Sequence, residues 1–321
     1  MFGRLDLACG QAAHIVMAAF DHDGYIIRMS VAAQQIPPPG GLIVDHVSHF
    51  VPDLGAAARA LEALGFAVTP VSAQQTQDGP AGTSNVCVML EHGYLEFLAP
   101  TMDTPNAQRL RATMRRYPGV HLCCFGTPDA EGEHRRLADH GFSPLPVVNL
   151  QRETAEKQTV RFKVVRASPE NMPEGRIQFV QHLAAEAIWR PQYLGHTNNI
   201  VKLACVFAVA GDPYAAGARW ARFSALLPRP AGGYVHLRAA RGHVLIGTRD
   251  NWSALLGDAP AAPALAGYAL ECRDPAILVA RCKLMGLALK KLGENLYAVA
   301  LPDSLGGAWI FGTRQGLGLP S

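Results

Sequence analysis

A chain of 321 residues with 49% hydrophobic content is long enough for two domains or one large one, with a sizeable core. Charged residues make up only 17% and the formal net charge is +3, so no basic surface of the kind that tracks nucleic-acid phosphates is expected. The seven cysteines form no Cys-x-x-Cys pair, which suits reduced thiols in a cytoplasmic protein rather than a disulfide framework, and no apolar run approaches the roughly 20 residues of a membrane-spanning helix.

The first 40 residues read as an N-terminal extension, expected to be poorly ordered. The apolar stretch "LACGQAAHIVMAAF" is interrupted by His14 and preceded only by Arg4 as positive charge, a poor secretory signal. The breaker "IPPPGG" closes this segment, and Met29 is an alternative start.

Residues 44–66, "VDHVSHFVPDLGAAARALEALGF", predict a short strand, a Pro-Asp helix start and an amphipathic helix ending at Gly65-Phe66. The pattern returns without a gap at 127–142, "TPDAEGEHRRLADHGF", and more faintly at 211–226 and 273–287. In each copy an aspartate suits the helix N-cap, and glycine near the helix end suits a left-handed cap. Short alternating runs such as "SNVCVMLEHGYLEFLAP" follow each helix. The expected class is α+β, four βαβββ modules in two domains. The first spans 41–200, with modules 41–100 and 117–183 plus a linker, and a second, degenerate domain spans 201–321.

The stretches "DHVSHFVPDL", "EALGF", "HGYLEFLAP" and "QHLAAEAIWRPQYLGHTNN" resemble the vicinal oxygen chelate superfamily, its glyoxalase-like domain branch in particular, over residues 41–314. The resemblance implies paired modules forming curved sheets that cup a divalent metal. It places one ligand on the first strand, seven residues before the capping aspartate, where His46 precedes Asp53, and another on the last strand, where Glu96 stands in "YLEFL". Burying such a carboxylate without compensation is costly, and imidazole with carboxylate suits zinc, nickel, iron, cobalt or manganese.

The second module matches less well. Leu122 corresponds to His46, while His121 falls against Asp45, one residue out of step, and only a bulge would restore it to the site. Gln178 corresponds to Glu96. The site is either His46, Glu96, His121 and Gln178 or an incomplete remnant. Trp189, Arg190 and His196 are substrate-binding candidates at a domain junction, with a plain connecting segment as the alternative. The C-terminal pair places Cys205 and Gly267 at the His46 position, with no carboxylate in "HVLIGT" or "AWIFGT", so no metal is expected there.

The resemblance leads to the expectation of a metal-dependent lyase, isomerase or dioxygenase acting on a small oxygenated organic molecule through an enediolate or related oxyanion, with Glu96, or a displaced carboxylate at the site, as the base. The alternative is a non-catalytic binder of the bleomycin-resistance type. A small molecule is the expected partner, nucleic acid and membrane are not, and a homodimer is allowed for.

Overall fold

The computed structural model describes residues 30–153 and 159–318. The first 29 residues, on which most of the proposed extension and the Met29 start fall, lie outside the described residues. Residues 30–40 are docked: buried Gln35 donates to the Glu91 carbonyl at 2.7 Å and accepts from the Gly93 N–H at 3.1 Å.

Four βαβββ modules follow in order. The first is β1 (Ile43–Phe50), α1 (Leu54–Ala63), β2 (Ser72–Thr76), β3 (Gly79–Met89) and β4 (Tyr94–Pro100). After helix α2 (Pro105–Met114) comes the second: β5 (Gly119–Gly126), α3 (Ala130–Asp139), β6 (Val148–Glu153), β7 (Thr159–Arg166) and β8 (Arg176–His182). The third is β9 (Ile200–Val209), α4 (Pro213–Ser224), β10 (Pro228–Ala231), β11 (Tyr234–Arg238) and β12 (His243–Gly247). Helix α5 (Arg249–Leu256) leads into the fourth, β13 (Ala264–Cys272), α6 (Ala276–Leu284), β14 (Leu289–Gly293), β15 (Leu296–Ala300) and β16 (Ala308–Gly312).

The caps are made as the repeat requires. Asp53, Asp129 and Asp212 accept from the N–H groups of Ala56, Gly132 and Ala215 at 2.9, 2.9 and 3.0 Å. Gly65 and Gly141 end α1 and α3 with φ of 91° and 78°, which side-chain-bearing residues rarely adopt, although Ala225 takes the left-handed position after α4 at φ 57°.

Modules one and two form a closed eight-stranded barrel in the order β1-β4-β3-β2-β6-β7-β8-β5. Antiparallel β1 and β5 join the modules on one side, and Gln75↔Gln151 and Thr76↔Leu150 close the other. Modules three and four form an open sheet, β10-β11-β12-β9-β13-β16-β15-β14. Its edges carry Pro228 and Pro230 on one side and Lys290 and Lys291 on the other, residues that discourage further strand pairing.

The two domains share a core built from the outer faces of both sheets and helices α1, α3, α4 and α6, including Val47, Phe97, Leu137, Trp220, Tyr268 and Trp309. Two equivalent arginines lock the junction. Arg136, seven residues after Asp129, donates to the carbonyls of Arg222 and Phe223 at the end of α4. Arg281, seven after Asp274, donates to the Ala63 carbonyl at the end of α1 at 3.1 Å. Each cation sits where the helix dipole is negative.

The second cup is filled. Trp252 of α5 stacks on Phe207 at 4.4 Å and donates to the Ala208 carbonyl at 2.8 Å. With Leu256 it packs among Cys205, Leu245 and Ile310, the residues that register places where His46, Glu96 and Gln178 stand in the first barrel. No helix among the described residues is long and apolar enough to cross a membrane.

Candidate functional site

The first barrel keeps a cavity. Leu110 of α2 packs with Phe50, Leu98, Leu122 and Val180 at one end. Alternation along each strand sends His46, Tyr94, Glu96, Arg166, Arg176, Gln178 and His182 to the cavity wall. The empty volume is about 590 Å³, including the open solvent at its mouth.

His46 is held from behind. Its Nδ1–H donates to Asp45 Oδ1 at 2.7 Å and its ring stacks on Tyr94 at 4.3 Å, which leaves Nε2 at the cavity without a hydrogen-bond partner among the described residues. His182 donates through Nε2 to the same carboxylate, at 3.0 Å to Oδ2, while its buried Nδ1 has no partner among the described residues. Burial by itself would raise the Asp45 pKa, but the charge and hydrogen bond of His182, then those of His46, hold it well below the usual carboxylate range.

Asp45 reaches this position through a β-bulge. Val44 pairs with Phe125 and His46 with Cys124, so Asp45 is the extra residue of β1. A second irregularity pairs Ser48 with Leu122 and His49 with Val120, which makes His121 the extra residue of β5.

Glu96 accepts from the Ser48 hydroxyl, from Asn85 Nδ2 at 2.6 Å and from Gln74 Nε2 at 3.2 Å, so both carboxylate oxygens are occupied. The compensation expected for a buried carboxylate thus comes from neutral donors. Gln178 Oε1 accepts from Arg166 Nε at 3.0 Å. Arg176 lies over the Phe50 ring at 5.4 Å, and burial, then the like charge of Arg166, push its pKa down to about 9.

Of the residues expected to act, His46, Glu96 and Gln178 are brought together and His121 is not. Its bulge stacks the ring on Phe50 and on Tyr117, with Nε2–H donating to the Tyr117 carbonyl at 2.9 Å, and it does not line the cavity. Trp189 is buried behind the wall, edge-on to His182 at 5.1 Å, with its indole N–H on the Leu90 carbonyl at 3.1 Å. Arg190 does not line the cavity, nor does His196, which accepts from the Ala67 N–H and donates to the Met89 carbonyl at 3.0 and 2.7 Å. The plain connecting reading therefore fits His196. His182, Asp45, Arg166 and Arg176 were missed. Strand parity with Gln178 was an available signal for Arg176 and His182; nothing local announced Asp45.

The donor set does not fit a resident divalent ion. Leu122 offers no donor, the Gln178 oxygen is taken by Arg166, and both Glu96 oxygens are committed. That leaves the Nε2 of His46 at the family's ligand positions. Among the described residues no group of three His, Cys, Asp or Glu converges as a metal site. The divalent metal that the family resemblance implies would find one uncommitted donor at these positions as they stand.

A family model described as glyoxalase-like domain matches residues 44–224. No curated protein matches the sequence. Among solved structures, a hypothetical protein from Staphylococcus aureus superposes with a TM-score of 0.59 at 11% identity, covering 85% of this chain and 99% of that one. A xylose isomerase-like TIM barrel/4-hydroxyphenylpyruvate dioxygenase fusion protein superposes with a TM-score of 0.51 at 12% identity, covering 86% of this chain and 50% of that one. At such identities the likeness is one of fold, the vicinal oxygen chelate fold of paired βαβββ modules. The family match takes in the whole first barrel and runs to the end of α4, more than half of the sequence, and the chain belongs to the glyoxalase-like domain family.

Proposed function

We propose that the chain is an enzyme that moves a proton on a small oxygenated organic molecule held in the first barrel, a lyase or isomerase of the glyoxalase-like type. The observation that carries this reading is His46, its Nδ1–H bound to buried Asp45 and its Nε2 uncommitted at the cavity. In that tautomer the Nε2 lone pair faces the ligand. When His46 takes a proton, the imidazolium that forms lies against the Asp45 carboxylate, which stabilises it and holds its orientation. Glu96, the expected base, accepts hydrogen bonds on both oxygens, two on Oε1 and one on Oε2, which makes it a less available base than a carboxylate with free oxygens. His121, which with His46 and Glu96 would make the two-histidine, one-carboxylate set that suits non-haem iron and oxygen chemistry, does not line the cavity, which supports the lyase or isomerase reading over the dioxygenase one.

A proton-exchange screen tests this without the substrate being identified first. The protein is incubated in D₂O with a panel of small hydroxy- and oxo-compounds, and loss of carbon-bound protons is followed by NMR. Exchange is expected on at least one compound and is expected to disappear in His46→Gln. Absence of exchange across the panel, or equal exchange by His46→Gln, would overturn the proposal. Binding without exchange would favour sequestration.

A further inference from the structure

Resting on the reading of the first barrel as the ligand site, we infer that Arg166 and Arg176 form an anion seat, and that the ligand is a small organic monocarboxylate with an apolar body. The two guanidinium groups come from adjacent strands, β7 and β8, and line the same wall. Arg166 is fixed through Nε by Gln178, and Arg176 is fixed by its position over Phe50. Among the described residues neither forms an ion pair with a carboxylate. Both side chains are partly buried; withdrawing a cation from water without a carboxylate paired to it is costly, and the fall in the pKa of both groups has burial as its first cause. A bound anion would remove that cost.

The chemistry of the wall narrows the class. Glu96 is the one carboxylate lining the cavity, and its charge acts on both arginines. The balance is a single net positive charge, which suits a monoanion better than a phosphate dianion. Planar guanidinium groups match the two oxygens of a carboxylate. Leu98, Leu122, Phe162, Val164 and Val180 also line the wall, together with the polar Gln74, Asn85 and Tyr94, and the apolar side chains among them would cover a hydrocarbon chain or ring. The carboxylate end would then lie against β7 and β8, while His46, across the cup on β1, reaches the body of the molecule.

The full chain is titrated calorimetrically with isovalerate and benzoate, with isovaleramide and benzamide, and with inorganic phosphate. The carboxylates are expected to bind at least tenfold more tightly than the amides or phosphate. Arg176→Met and Arg166→Met are each expected to erase that preference. Arg176→Met without ligand is expected to melt no lower than the natural protein, because a partly buried charge with no carboxylate paired to it has been removed. Failure of any carboxylate to bind, tighter phosphate than carboxylate binding, or an undiminished preference in both variants would overturn the inference. Should Arg176→Met fail to fold, Arg166→Met and Arg176→Lys carry the same comparison. Carboxylate binding without proton exchange would refute the enzymatic reading and leave the anion seat standing; exchange on a neutral compound, equal in both arginine variants, would do the reverse.

Discussion

Asp45 and His121 stand at the same place in two successive modules, and each is the extra residue of a β-bulge where β1 pairs with β5. Their counterparts in the second domain, Ala204 and Ala266, are the extra residues where β9 pairs with β13. The irregularity belongs to the fold, and its chemistry depends on the side chain it carries. A carboxylate there binds His46 and His182, an imidazole binds the Tyr117 carbonyl, and alanine does neither.

Asp45 should therefore matter to stability as well as to the site. Asp45→Ala leaves two imidazole N–H groups without their acceptor, and each charge-assisted bond is worth about 1.5–3 kcal/mol. Urea unfolding should show a loss of that order. A change below about 0.5 kcal/mol, the range of an ordinary surface substitution, would mean that the carboxylate does not hold the two rings.

Glu96 and His46 should separate by readout. Glu96→Ala removes the acceptor for Ser48, Gln74 and Asn85, and each donor left buried and unpaired costs about 1–3 kcal/mol. His46→Gln should instead abolish proton exchange with a smaller effect on unfolding. Exchange lost in Glu96→Ala but retained in His46→Gln would make Glu96 the base.

Acid should loosen the domain junction. His49 donates from Nδ1 to the Leu305 carbonyl and accepts at Nε2 from the Tyr268 hydroxyl, both at 2.9 Å, and burial is the first cause that lowers its pKa from 6.5 to about 4. His121 is likewise lowered to about 4, first by burial. Both therefore bind protons more readily in the unfolded chain. Their contribution is complete above pH 6.5, is lost as pH falls from 6.5 to 4, and levels off below that. Within the window each contributes up to about 1.4 kcal/mol per pH unit. Unfolding midpoints measured from pH 7.5 downward test this, and a flat profile would contradict it.

Divalent ions should add little. With one uncommitted donor at the family's ligand positions, zinc, nickel, cobalt or manganese should leave the melting temperature unchanged, and dialysed protein should hold less than one equivalent. A stoichiometric ion lost in both His46→Ala and Glu96→Ala would show that the Glu96 hydrogen bonds yield to a metal.

The filled second cup should depend on one side chain. Trp252 is 1% exposed, and replacing a buried tryptophan by alanine costs about 3–5 kcal/mol. Trp252→Ala should destabilise the chain by that amount and leave proton exchange in the first barrel intact. Loss of exchange at retained fold would tie the second cup to the site.

The modules, their helix caps and the strand-bound positions of His46, Glu96 and Gln178 were legible in the sequence. They rest on contacts within a few residues: an aspartate bonding the N–H groups ahead of it, and alternation that sends every second side chain to one face. The docking of residues 30–40, the filling of the second cup by α5 and the final ligand set were decided only by the tertiary structure. The bulges at Asp45 and His121 arise from the pairing of β1 with β5, so neither Asp45 behind His46 nor His121 outside the cup follows from either strand alone. Arg166 and Arg176 carry no motif and become a single cationic wall only when β7 pairs with β8 and the barrel closes around them. Register between strands distant in the chain depends on how well whole faces pack, and no short stretch of sequence contains that information.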